Sequence, residues 1–192
     1  MPFSGLNVRA TWFDNRLKNP VSNVTRTDLV NTQQRQNLGR ARGRGVQTDA
    51  EYRVGADWRL GAGYMYNHAR VTAYAPNAAL IGKALPQVPS HRGSVSASYS
   101  NTRYVTVSVS VLAFGRQYDD DLNARAKPGE TVAGLPPYGT IELTATRRMG
   151  RYLDVFFGVQ NLFDEEYYVG LLPTTIGSPR LVNAGIRVRW SQ

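Results

Sequence analysis

Arg35, Arg40, Arg42 and Arg44 fall within ten residues and are interspersed with Gly39, Gly43 and Gly45. An Arg-Gly tract of this kind can hold nucleic-acid phosphates, and 23 Lys and Arg against 14 Asp and Glu supply the charge. Base stacking would also need aromatic rings among those cations. The Tyr and Trp residues lie elsewhere, so nucleic acid is not the expected partner. The other reading places these Arg residues on a polar strand segment, facing an anionic lipid or ligand. Asp119, Asp120 and Asp121, with Asn123, cluster the hard oxygens that calcium prefers. They lack the alternate ligand positions and the Gly of an EF-hand, and adjacent loop acids are also commonly just solvated. Both readings stand on the sequence, and no metal site is assigned. His68 and His91 have no Ser or Asp at triad-like spacing. Asp49, Glu51 and Glu142 could pair as carboxylates for glycoside chemistry, but they fall on polar strand faces where charge is expected anyway. The glycines do not follow a buried strand or open a helix, so no phosphate loop is indicated. With no Cys there is no thiol nucleophile, disulfide or Cys-ligated zinc. The reading is no enzyme, no catalytic residue and no cofactor.

The elements that carry these residues alternate with period two. Leu6, Val8, Ala10 and Trp12 oppose Asn7, Arg9 and Thr11 within a strand expected over Phe3–Asp14. The same pattern runs over Gly45–Val54 and from Trp58 to Tyr66. It recurs at Val95–Tyr99, Val105–Val111, Ile141–Ala145, Leu153–Val159 and Val182–Trp190. A further strand is expected near Asn19–Thr27, giving about nine long strands in an all-β, antiparallel fold. At 42% hydrophobic residues the chain is not of disordered composition. Nowhere does it approach the roughly 18 consecutive apolar residues of a membrane-spanning helix.

Short polar turns are expected at Asp14–Lys18, Gly55–Asp57, Ser100–Arg103 and Met149–Arg151. Longer stretches lie at Arg26–Gln34, Thr72–Ser90, Tyr118–Pro137 and Phe163–Ser178. Alternating short and long connections put every long one on the same side of a sheet, as in transmembrane barrels. Trp12, Tyr52, Trp58, Tyr99 and Trp190 share the apolar face and are each expected at the short-turn end, as an interfacial girdle. Eight steps from Trp58 to Tyr66 span about 26 Å, the height of a barrel's apolar band. A soluble basic β-sandwich with an anionic partner is the rival, with the same alternation turned inward.

Several motifs resemble those of TonB-dependent outer-membrane receptors. Asn161-Leu162-Phe163-Asp164-Glu165-Glu166-Tyr167-Tyr168 is similar to that family's NLFD-x-x-Y signature. Ile176-Gly177-Ser178-Pro179-Arg180 then leads to a last amphipathic strand ending in an aromatic. Upstream, Asn37-Leu38-Gly39-Arg40-Ala41 through Gly45-Val46 resembles a segment that opens a barrel strand. Leu85-Pro86-Gln87-Val88-Pro89-Ser90-His91 resembles a loop-to-strand segment, and Gly115–Asp120 resembles the entry to a long loop.

The resemblance implies that residues 1–192 are the C-terminal wall of a large transmembrane β-barrel of the bacterial outer membrane. The plug domain, TonB box and signal peptide lie outside it. It implies energised uptake of a large metal chelate, most simply a ferric siderophore for iron uptake, with cobalamin next. A passive porin-like or adhesin barrel is the alternative. Expected partners are outer-membrane lipid, the barrel-assembly machinery, the chelate, and TonB and the plug through the rest of such a receptor. Arg116, Gln117 and Tyr118, entering one long loop, and Tyr167, Tyr168 and Arg180, flanking another, are the candidate ligand contacts. Arg pairs with anionic chelates, and Tyr stacks or donates a hydrogen bond. The sheet is expected to have open edges at Phe3–Asp14 and Pro179–Trp190.

Overall fold

Strands of alternating polarity leave backbone N–H and C=O groups to be satisfied by neighbours, and they gain stability from cross-strand side-chain pairs. A computed structural model, which describes residues 5–26, 29, 33–101 and 103–190, shows how this is met. Eight antiparallel strands pair in one sheet: β1 (Leu6–Lys18), β4 (Arg40–Val54), β5 (Trp58–Ala73), β6 (His91–Asn101), β7 (Val105–Phe114), β8 (Tyr138–Met149), β9 (Leu153–Gln160) and β12 (Leu181–Val188), in that order. Two short ribbons stand apart, β2 (Val21–Thr25) with β3 (Gln33–Asn37), and β10 (Tyr168–Leu171) with β11 (Thr174–Ile176). The strand expected near Asn19–Thr27 is therefore half of a loop hairpin, and the main sheet has eight strands where about nine were expected.

The connections alternate as anticipated. Short connections join β4 to β5, β6 to β7 and β8 to β9 at one end, and long ones join β1 to β4, β5 to β6, β7 to β8 and β9 to β12 at the other. One expected turn is overturned. Asp14–Lys18 continues β1, pairing residue by residue with Arg44–Arg40 of β4. That extension also moves Trp12. It pairs with Val46, which pairs with Tyr66, and Tyr66 pairs with His91, so Trp12 belongs to the long-loop rim. Tyr52 and Trp58 keep the short-turn rim, with the Trp58 ring 5.1 Å from that of Tyr99. Trp190, just beyond β12, is 87% exposed at the same end.

Among the described residues, no second layer packs against the apolar face. Val8 is 62% exposed, Val95 59% and Ile186 67%, and no second sheet packs on them among the described residues. The buried cluster lies instead under the long loops, where Val24, Leu38, Val71, Tyr74 and Leu80 meet. A soluble sandwich would place its core between two sheets. This single layer with a bare apolar face overturns that rival and suits lipid. No helix among the described residues is long and apolar enough to cross a membrane. Among the described residues, no strand pairs with the outer edge of β1 or β12, in line with the open edges expected there.

Candidate functional site

At the long-loop end, on the polar face, the register sets Arg92, Phe114 and Tyr138 side by side on three adjacent strands. Cross-strand neighbours on one face lie about 5 Å apart, close enough for rings to meet. The Phe114 and Tyr138 rings stack at 4.9 Å and 21°. Tyr167 adds a third ring, 4.1 Å from Tyr138 and tilted by 13°. The Arg92 guanidinium sits 5.1 Å from the Phe114 ring centre. Gly177 makes room for Tyr167, because a Cβ there would come 2.0 Å from its ring. Beside this ladder, Lys127 Nζ lies 4.6 Å from the ring centre of Tyr168. Half-buried rings flanked by two cations suit a flat, anionic ligand, through stacking and charge.

The acidic triplet ties the loops above this mouth together. Asp121 accepts from the backbone N–H and hydroxyl of Thr25 at 3.0 and 2.6 Å. Asp120 accepts the backbone N–H groups of Ala124 and Arg125. Asp119 accepts that of Leu171 at 2.8 Å and a side-chain N–H of Gln87 at 3.2 Å. With their oxygens given to N–H groups of all four long loops, their own included, these acids act as clamps. Among the described residues no three His, Cys, Asp or Glu side chains converge to hold a metal ion.

Of the six anticipated contacts, Tyr167 stands in the ladder and Tyr168 beside it. Arg116 donates to the Ala133 carbonyl at 3.2 Å, Gln117 forms a backbone bridge with Leu135, and the Tyr118 carbonyl accepts from Gln87 N–H at 2.6 Å. Arg116 and Gln117 thus brace their own loop, and Tyr118 ties it to the loop that carries Gln87. Arg180 donates its N–H to Asp164 Oδ1 at 2.8 Å, and its guanidinium lies 3.9 Å from the same carboxylate. Arg92, Phe114 and Tyr138 are the residues that sequence reading passed over. His91 shares a 2.7 Å hydrogen bond with the Tyr64 hydroxyl on the apolar face, and Glu51 pairs with Arg53 and Arg59, so neither group is set up for catalysis.

Asn161 closes the base of the last loop. It is 5% exposed, donates Nδ2 to the carbonyls of Glu165 and Ser178, and accepts from Glu165 N–H at 2.9 Å. Asn161→Ala removes these three hydrogen bonds, each contributing about 0.5–1.5 kcal/mol. Limited proteolysis should then cut within residues 161–180 much faster, while the eight-strand sheet resists. Unchanged cleavage would show that the loop is held elsewhere.

The family described as TonB dependent receptor-like, beta-barrel, matches residues 2–162. The chain belongs to that family. TonB-dependent receptor barrels are outer-membrane proteins of Gram-negative bacteria and are not enzymes. The fold is also that of solved receptors. The ferric citrate transporter FecA in its unliganded form matches with a TM-score of 0.75 at 22% identity, over 96% of this chain and 29% of that one. The ferric yersiniabactin uptake receptor FyuA from Yersinia pestis matches at 0.74 and 18% identity, over 96% and 28%. The copper transporter OprC matches at 0.70 and 18%, again over 96% and 28%. The chain thus spans little more than a quarter of each of these proteins. No curated protein matches it.

Proposed function

We propose that residues 1–192 form the C-terminal wall of a TonB-dependent receptor that takes up a metal chelate of the siderophore class. The ladder of Arg92, Phe114, Tyr138 and Tyr167, at the long-loop mouth on the wet face, is the observation that carries this reading. It offers π-faces and positive charge together, which an anionic chelate with aromatic or planar donor groups would use. The open edges at β1 and β12 support the same reading, since unpaired backbone groups cannot face hydrocarbon and call for further strands. Insertion would depend on the barrel-assembly machinery, and release of ligand on TonB acting through a plug. The similar receptors are those of ferric citrate and ferric yersiniabactin, with a copper transporter beside them.

The experiment is a titration of the purified outer-membrane receptor with ferric catecholate, ferric hydroxamate, ferric citrate and cobalamin, followed by quenching of its Tyr and Trp fluorescence. One ferric chelate class should quench saturably. The double substitution Tyr138→Ala, Tyr167→Ala should weaken that class about tenfold, equivalent to about 1.4 kcal/mol of stacking and burial. No saturable ligand, combined with steady ion conductance in a planar bilayer, would instead establish a passive channel.

A further inference from the structure

Towards the long loops the wet face of β1, β4 and β5 turns apolar. Phe13, Asn15 and Leu17 pair with Gly45, Gly43 and Ala41, which pair in turn with Asn67, Ala69 and Val71. These positions alternate with the lipid-facing Trp12, Val46 and Tyr66, so they look into the barrel. The chain after β5 folds back along this end of the strand. Leu85 N–H donates to the Ala69 carbonyl at 3.1 Å, and Asn67 N–H donates to that of Ser90 at 2.9 Å. A cavity of about 360 Å³ results, with an apolar lining of Phe13, Leu17, Gly43, Ala69, Leu85 and Val88. Asn15 and Arg16, both exposed, complete it on the β1 side.

Asn67 brings an amide into this lining, and its Oδ1 is buried with no hydrogen-bond partner among the described residues. Buried acceptors are ordinarily paired, because the water they give up is otherwise not replaced. Gly43 keeps the space beside that oxygen clear, since even a Cβ there would come within 3.4 Å of it. The cavity is near the small end of ligand pockets, which hold about 300–1,000 Å³, so it suits one arm of a large chelate and not the whole. It also adjoins the chelate mouth. Asn67 lies two residues from Met65, about 7 Å along the strand, and Met65 is the cross-strand partner of Arg92.

We infer that this cavity binds an acyl chain joined through a secondary amide, with the chain on Phe13, Leu17, Ala69, Leu85 and Val88 and the amide N–H donated to Asn67 Oδ1. The ligand is then an amphiphilic chelate, with its head on the aromatic ladder and its acyl arm here. Only the head rests on the chelate reading of the mouth.

The test is titration of the purified outer-membrane receptor, in lipid nanodiscs, with two metal-free probes: a dansyl fluorophore joined to an octanoyl chain through an amide or through an ester. Empty nanodiscs supply the background from partition into lipid. The amide probe should give saturable emission enhancement, and the ester, which leaves Asn67 Oδ1 unpaired, should bind about tenfold more weakly. Gly43→Leu, which fills the cavity, should weaken the amide probe at least tenfold, about what the burial of two methylenes is worth. Gly43→Ala should bind it like the wild type. Asn67→Leu should keep the acyl chain and bind amide and ester alike. Heat-modifiable mobility confirms that each variant is folded, and the amide-to-ester ratio of the wild type needs no variant at all. No saturable binding by the wild type, as when the receptor's own plug fills the cavity, would overturn the inference. So would equal affinity for amide and ester, or undiminished binding by folded Gly43→Leu. Ferric-chelate quenching is recorded on the same samples. A receptor that takes the amide probe and no ferric chelate keeps the acyl site and loses only the chelate reading.

Discussion

Val109→Arg is expected to remove most of the folded, membrane-embedded protein, while Ser108→Arg one residue away is expected to be tolerated. Val109 pairs with Ala97 and Leu143 on the bare apolar face, and Ser108 pairs with Ser98 and Thr144 on the wet one. An Arg facing hydrocarbon near the middle of a barrel costs about 2–4 kcal/mol, whereas lumen positions accept charge. The folding equilibrium constant should therefore fall by about 1.5 to 3 orders of magnitude for one variant and little for the other. Heat-modifiable mobility after folding into lipid vesicles, with urea titration of the folded band, measures both. Equal sensitivity at the two positions would mean that the alternation does not separate lipid from water.

The second large effect concerns two glycines on one strand. A Cβ on Gly45 would lie 1.8 Å from the Tyr66 carbonyl oxygen and 2.9 Å from the Phe13 ring. The carbonyl belongs to the neighbouring strand's backbone and cannot swing away without opening the β4–β5 ladder. Gly45→Ala should cost at least the 1–3 kcal/mol typical of overpacking. Gly43→Ala, on the same face, would meet Asn67 Oδ1 at 3.4 Å and Ala69 Cβ at 3.9 Å, which is ordinary contact. It should be nearly silent. Chemical unfolding of the two variants side by side decides this, and equal midpoints would show that the ladder has slack at Gly45.

The strands were legible wherever one face meets lipid, because there the period-two signal has strong contrast. Where a strand rises past the apolar band, the contrast is lost or inverted. Asp14–Lys18 has turn-forming composition and is nevertheless paired strand, and in β5 beyond Tyr66 the faces exchange polarity, with Ala69 and Val71 buried opposite His68 and Arg70. Misplacing that turn put Trp12 at the wrong rim, although its face was read correctly. The hairpin of β2 and β3 has the pattern of a strand pair but the position of a loop, and only the pairing partners distinguish the two. The ligand mouth was half legible. Tyr167 lies in a recognisable motif, but Phe114 and Tyr138 come together through the register of β7 and β8, which no single segment encodes. A signal was nonetheless present, since both are aromatics on faces otherwise rich in Ser and Thr. The Asp119–Asp121 run was readable as oxygen-rich and unreadable as a clamp, because its partners Thr25 and Leu171 lie 96 and 52 residues distant from Asp121 and Asp119.

The most direct measurement of the central claim, that the Val face of this sheet meets lipid and the Ser face water, is single-cysteine labelling along β7. The chain has no native Cys, so each variant carries one unambiguous thiol. With the receptor in lipid vesicles, cysteines at Ser108 and Ser110 should react with a membrane-impermeant maleimide reaching the lumen. Cysteines at Val107, Val109 and Val111 should resist it, and a fluorophore attached to them in detergent before reconstitution should be quenched by lipid-borne spin labels. Uniform reactivity along the strand, or aqueous labelling at the Val positions with protection at the Ser positions, would contradict the account.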